Sequence, residues 1–314
     1  MPNSKHLAGA VTATAFAVVF VLRHIIKARN YRSKRVQPIE ERVLILGASS
    51  GLGRTLARQY AARGARVCAV ARRSERLAIV AQECGNRCLP FVADLTEAAD
   101  MERLRAQLLR QWGGLDTLHV CAGVSAVQPV MALTGVSSGD EDPDAVGVQL
   151  AAEIAARATQ GNFFGPLIAA ITFIPMMKRT SASPAILLVS SVAAIVPAPT
   201  RALYAATKAA SLLLYQSLAI EHPEIAFTCM LPATIEGNFR SSAVDADPSQ
   251  KLDETNKKGL RLDYVASRCA EAVDQGLRGN VVIPWFPFAI AHHLYYIWPS
   301  FIEKQARKKY NFTT

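Results

Sequence analysis

Three side chains in one stretch of this 314-residue chain have the types and spacing for proton transfer. Tyr204 and Lys208 stand in the pentapeptide YAATK, and at i and i+4 of a helix they share one face. A phenol with a pKa of about 10 is a poor acid at neutral pH; a neighbouring ammonium stabilises the phenolate and lowers that value. Ser191 closes a Ser190-Ser191 pair at the end of a predicted strand, and its hydroxyl can polarise a carbonyl oxygen. A lone Y-x-x-x-K is usually an ordinary surface pair, so its meaning depends on what else the chain carries.

A glycine-rich turn supplies that context. Residues 43–47 read as a first strand, followed by Gly47-Ala48-Ser49-Ser50-Gly51-Leu52-Gly53 and then a helical pattern. Glycines permit a tight turn and close backbone approach, and a helix N-terminus offers N–H groups and a positive dipole to a pyrophosphate. A simple turn is the competing reading, and the position after the first strand favours the phosphate. The second strand ends in Ala71-Arg72-Arg73. An acidic residue there would hold ribose hydroxyls and repel a 2′-phosphate, whereas two guanidiniums can clamp one. The pattern therefore predicts NADP(H) over NAD, without saying which arginine makes the contact.

The elements that must position these groups alternate in period. Strand patterns fall at 43–47, 66–71, 88–93, 117–122, 185–190, 227–232 and 281–284. Helical patterns fall at 52–63, 74–84, 96–111, 148–178, 202–219 and 262–277. Short apolar strands between amphipathic helices predict an α/β fold of the Rossmann type, a doubly wound parallel sheet with its ligand beyond the carboxyl ends of the strands. The polar stretch 135–147 reads as a surface loop, and 233–260 as a variable substrate lid.

With these motifs in place, residues 43–284 resemble the short-chain dehydrogenase/reductase family. The resemblance implies Ser191, Tyr204 and Lys208 as catalytic residues, with Asn162 of NFFG as a fourth that organises a proton-relay water. It also implies Asp94 and Leu95 near an adenine, Cys121, Ala122 and Gly123 beneath the cofactor, and Pro232 to Ile235 beside a nicotinamide. Four positions depart from the family pattern: Leu46, Cys121, Ala233 and Gly237. Leu46 and Cys121 are expected to be one compensated local change. The lipid-directed branch containing 11β-hydroxysteroid dehydrogenases is the most similar.

Composition narrows the classes further. Hydrophobic residues make up 51% and charged residues 19%, which excludes a largely disordered chain. Six cysteines without a C-x-x-C point to neither a disulfide scaffold nor a structural zinc site, and no metal is expected. The net charge of +10 is uneven. Residues 1–42 hold eight Lys/Arg against Glu40 and Glu41, giving +6, and residues 303–314 carry +3, which leaves +1 for the body. A nearly neutral body argues against a nucleic-acid partner.

The ends point instead to a membrane. Residues 7–22 lack any charge and Ile25-Ile26 extend them, long enough as a helix for a thin bilayer such as the endoplasmic reticulum. A cleaved signal peptide competes, but six basic residues follow at once, which favours an anchor with the body facing the cytoplasm. The sequon at Asn311 would then go unused. Seven of the 23 aromatics lie between Trp285 and Phe301, interrupted by prolines. They suit either an interfacial segment or a C-terminal helix packed over the substrate cleft.

The expectation is a single catalytic domain, 43–284, between an N-terminal anchor and basic linker, 1–42, and an aromatic and basic tail, 285–314. Its activity would be membrane-bound, NADP(H)-dependent interconversion of a ketone and a secondary alcohol on a lipophilic substrate: a steroid, a retinoid or a sphingoid-like lipid. The expected site is the endoplasmic reticulum or a lipid droplet, and a homodimer is compatible with the reading. A cofactor-binding membrane scaffold without turnover is the alternative. The four departures motivate it, and the intact Ser191, Tyr204, Lys208 and Asn162 argue against it.

Overall fold

The computed structural model describes residues 32–136, 141–246 and 259–312. Seven parallel strands form one sheet: β1 (Arg42–Leu46), β2 (Arg66–Ala71), β3 (Cys88–Val92), β4 (Thr117–Val120), β5 (Ala185–Val189), β6 (Ala226–Pro232) and β7 (Gly279–Ile283). Their order is β3-β2-β1-β4-β5-β6-β7, so the chain reverses direction across the sheet between β1 and β4. Such a reversal opens a crevice at the carboxyl ends. Every predicted strand is present, within two residues at either end.

The period-two pattern of the strands explains the layers. Leu44 and Leu46 face one core with Leu118, Val120, Ile186 and Phe227. Val43 and Ile45 face the other with Val67, Leu187 and Met230. Side chains like these contribute about 1.5–3 kcal/mol each when buried, so a strand shifted by one residue would exchange its faces between the two cores. The helices are α1 (Gly51–Ala62), α2 (Ser74–Cys84), α3 (Ala98–Trp112), α4 (Ala145–Thr159), α5 (Gly165–Thr180), α6 (Ala202–Glu221), α7 (Leu262–Asp274), α8 (Phe288–Ile297) and α9 (Pro299–Tyr310).

Two expectations need correction. The helix predicted over 148–178 begins earlier, because Asp144 caps it: its carboxylate accepts from Gly147 N at 2.7 Å. Residues 145–147 of the expected loop are therefore helical. The rod is also interrupted by a π turn, Gln160–Phe164, between α4 and α5. One extra residue per turn has no signature in hydrophobic periodicity, and such turns often mark functional sites.

The amino ends of the strands carry a buried ionic cluster. Arg32 Nη1 donates to Glu41 Oε1 at 2.6 Å, and its remaining nitrogens reach Ser183 O, Asp116 O and Thr117 Oγ1. Arg42 pairs with both Asp116 oxygens at 2.8 Å. Burial alone would raise the Asp116 pKa, but the Arg42 guanidinium holds its carboxyl below the usual range. Two of the basic residues counted as the N-terminal excess are thus engaged inside the domain. The end of the expected linker is a structural part of the fold.

The apolar run 7–26 lies outside the described residues. Among the described residues, no helix is long and apolar enough to cross a membrane.

Candidate active site

The carboxyl ends of the strands open into a cavity of about 1200 Å³. Its floor is built by the turn after β1. Gly47 has φ +92°, and a Cβ there would stand 2.6 Å from Ala122 N. At Gly53 a Cβ would stand 2.2 Å from Gly47 O, so only glycine lets α1 close on the strand. Ser50 is the N-cap of α1, yet its side chain makes no capping bond. The first-turn amides of α1 therefore remain available to an anion.

The arginines stand at this end. Arg73 donates to Ser49 Oγ at 2.8 Å and to Ser50 Oγ at 3.0 Å. Burial, then the like charges of Arg76 and Arg72, pull its pKa down. Arg72 reaches Asp94 Oδ2 at 3.4 Å and is largely exposed. Asp94 also accepts from Thr96 N and Thr96 Oγ1, which fixes its carboxylate. An open glycine floor, an uncapped helix and a converging guanidinium cluster fit a phosphate-bearing dinucleotide.

At the other end lie the reactive groups. Ser191, Tyr204 and Lys208 all line the cavity, with Tyr204 and Lys208 one turn apart on α6. Burial raises the Tyr204 pKa, while the Ser191 hydroxyl and then the Arg201 guanidinium draw it down. Lys208 Nζ donates to Val189 O at 3.0 Å, and burial lowers its pKa to about 8. Burial outweighs them and leaves the phenol above its ordinary value; contrary to the expectation from spacing, the groups that acidify it are Ser191 and Arg201, while the Lys208 ammonium is held at the end of β5.

Asn162 lies behind this wall. Fully buried in the π turn, it accepts from Val124 N at 2.9 Å and donates to Val124 O and Thr207 Oγ1 at 3.0 Å. A Cβ on Gly123 would come within 2.8 Å of Asn162 Oδ1 and 3.1 Å of Lys208 Nζ, so Gly123 keeps amide and ammonium in one small space. The other predicted contacts all border the cavity: Gly47, Ser49, Ser50, Gly51, Leu52, Gly53, Arg72, Arg73, Asp94, Leu95, Cys121, Ala122, Gly123, Pro232 and Ile235.

The departures have local explanations. Leu46 belongs to one core and Cys121 packs against the other, and Cys121 N donates to Leu46 O at 2.9 Å. Each replacement is absorbed on its own face of the sheet, rather than as a side-chain pair. Gly237 has φ +112°, a backbone that favours glycine. Ala233 N donates to Ile283 O at 2.8 Å, tying the strand end to β7.

The C-terminal segment forms the roof. α8 and α9 meet at Trp298 and Pro299, and His292 Nδ1 lies 2.8 Å from Ile195 O. Phe288, Ala291, Leu294 and Ile302 line the cavity, so helices packed over the cleft are what this segment provides. Its other side presents Trp285, Tyr296, Ile297 and Trp298, each more than half exposed. Arg76, Arg201, Arg240 and Tyr310 also border the cavity and were not anticipated. Arg76 and Arg201 had a usable sign, each standing within four residues of a predicted contact; Arg240 falls in the segment expected as a substrate lid and Tyr310 in the C-terminal tail, but nothing in their spacing singled out either residue.

Comparison with known proteins agrees with this geometry. The model of the short-chain dehydrogenase family matches residues 41–247. An 11-beta-hydroxysteroid dehydrogenase-like 4A protein of Arabidopsis thaliana is 30% identical, over 85% of this chain and 83% of its own. An 11-beta-hydroxysteroid dehydrogenase A of Arachis hypogaea is 32% identical, over 78% of this chain and 68% of its own. A dehydrogenase/reductase SDR family member 7B of Bos taurus is 29% identical, over 78% and 74%. An alcohol dehydrogenase from Thermococcus sibiricus, solved with 5-hydroxy-NADP, shares the fold with a TM-score of 0.61 at 21% identity, covering 77% of this chain and 95% of that one. The chain belongs to the short-chain dehydrogenase/reductase family, within its 11β-hydroxysteroid dehydrogenase-like branch, whose fold binds a nicotinamide cofactor.

Proposed function

We propose that this oxidoreductase is a membrane-associated, NADP(H)-dependent enzyme interconverting a ketone and a secondary alcohol on a lipophilic molecule. One observation carries the reading: Ser191, Tyr204 and Lys208 line a single cavity that has an arginine-rich phosphate end and an apolar roof. A reduced nicotinamide, held by the glycine turn and the arginines, would supply a hydride to the carbonyl carbon. The chain's own residues handle the oxygen and its proton.

Ser191 holds the carbonyl oxygen, and the Tyr204 phenol donates a proton to that oxygen as negative charge develops. Arg201 steadies the resulting phenolate. Lys208, buried with a pKa near 8, exchanges a proton more readily than an ordinary lysine, and Asn162 holds the backbone of Val124 beside it. Arg72 and Arg73 favour a 2′-phosphate. The exposed aromatics of α8 and α9, beside the basic end of α9, suit the headgroup zone of a bilayer. Lipophilic substrates would enter there.

Two assays test the reading. Purified protein in liposomes should oxidise NADPH, and NADH more weakly, with a panel of lipophilic ketones; cofactor binding without turnover of any ketone would return the scaffold reading. The full chain should also pellet with membranes after carbonate washing, with Asn311 unglycosylated. Glycosylation there would reverse the proposed orientation.

A further inference from the structure

The phosphate-end arginines are accounted for by a dinucleotide, but a second group of cations borders the same cavity beside Tyr204. Arg201 Nη1 donates to Ser125 Oγ and Ala126 O, each at 3.0 Å, and its Cζ lies 6.0 Å from the Tyr204 ring centre. These bonds fix the guanidinium without neutralising it. Arg240 sits on the short turn Phe239–Ser242, whose Phe239 ring meets the Tyr204 ring edge-on at 6.0 Å. Lys309 reaches in from α9, with Nζ 4.7 Å from the Phe288 ring centre. Burial first, then the charge of Arg240, lowers the Arg201 pKa.

Two carboxylates in the neighbourhood are bonded to backbone amides rather than to these cations. Asp245 accepts from the amides of Val127 and Gln128, easing the Arg201 charge only at a distance. Glu236 accepts from Leu262 N at 2.8 Å. Among the described residues, none of Arg201, Arg240 and Lys309 has an ion-pair partner. Arg201 is half-buried and Arg240 exposed at the cavity rim, and the two like charges repel; an anion between them relieves that cost while gaining charge-assisted hydrogen bonds.

We infer that the substrate is an anionic amphiphile: a lipophilic ketone carrying a phosphate or carboxylate near its carbonyl, with the anion held by Arg201 and Arg240 and the chain lying under α8 and α9. This rests on the ketone-reducing reading above and specifies its substrate class.

The test uses the full-length protein and three matched compounds: a long-chain α-hydroxyketone, its phosphate ester and the corresponding β-keto carboxylate. Wild-type kcat/KM should be at least about tenfold higher for one of the two anions than for the neutral ketone, and Arg240→Glu should bring that ratio to about one. Equal rates for all three would overturn the inference and leave the redox reading intact. A second arm measures binding of decyl phosphate, decanoate and decanol below their micelle concentrations. If no ketone is reduced but an anion binds at least about tenfold tighter than decanol, lost in Arg240→Glu, the redox reading falls while the anion site stands. Equal binding of all three would remove the site. Preference for phosphate over carboxylate, or the reverse, identifies the headgroup.

Discussion

The two ends of the sheet use arginine in opposite ways. At the amino ends, Arg32 and Arg42 are matched against Glu41 and Asp116, and their nitrogens are met by backbone and side-chain oxygens. At the carboxyl ends, Arg73 faces Arg72 and Arg76, and Arg201 faces Arg240. The first arrangement closes an account of charge within the protein. The second, where among the described residues Arg72 alone of these five reaches a carboxylate, Asp94 at 3.4 Å, leaves charge open for something that is not protein. Charge of one type thus reads as architecture at one edge and as ligand recognition at the other, and the difference lies in the partners.

The largest effect expected from breaking this contrast is at the closed edge. Glu41→Gln removes the charge opposite Arg32, which is only 2% exposed, and stranding a buried guanidinium should cost about 3–5 kcal/mol. Urea unfolding would measure it, and a loss below about 1 kcal/mol would mean the cluster is not the tie described. At the open edge, Arg73→Glu should leave the urea midpoint nearly unchanged and weaken NADPH binding about a hundredfold, with a much smaller effect on NADH. Fluorescence titration of both dinucleotides decides this, and equal losses would remove the 2′-phosphate from the argument.

A subtler effect concerns Lys208, whose buried ammonium donates to the Val189 carbonyl at 3.0 Å. Its pKa falls from 10.5 to about 8, so in the free enzyme the proton is lost as pH rises through 8. Activity as kcat/KM should decline above that point, by about tenfold per pH unit. Lys208→Arg, which keeps the charge, should move the decline to higher pH. Stability has the opposite sign: between pH 8 and 10.5 the unfolded chain holds a proton that the folded one lacks, so folding becomes more favourable as pH rises.

Much of this was legible in the sequence because it depends on local pattern. Alternating apolar residues such as Val43 to Leu46 located the strands, and glycines at 47, 51 and 53 located the turn. The Ser191, Tyr204 and Lys208 group followed from spacing on one strand end and one helix. The rest depends on contacts made across the chain. The π turn around Asn162 changes helical geometry without changing composition. Arg32 reads as part of a basic linker until Glu41, Asp116 and Thr117 surround it. Arg240 and Tyr310 reach the cavity only through the folding of the lid and of α9, which no periodicity records. The charge count illustrates the limit, since it treats buried Arg32 and exposed Lys34 alike.

The central claim is that Tyr204 protonates a ketone in the cavity between the two arginine groups. The most direct measurement uses NADPH carrying deuterium on the transferring face, a lipophilic ketone, and mass analysis of the alcohol. Wild-type protein should yield alcohol with one deuterium on the carbinol carbon, and Tyr204→Phe, folded and still binding NADPH, should make it at least about a thousandfold more slowly. Alcohol formed by Tyr204→Phe at the wild-type rate would contradict the account.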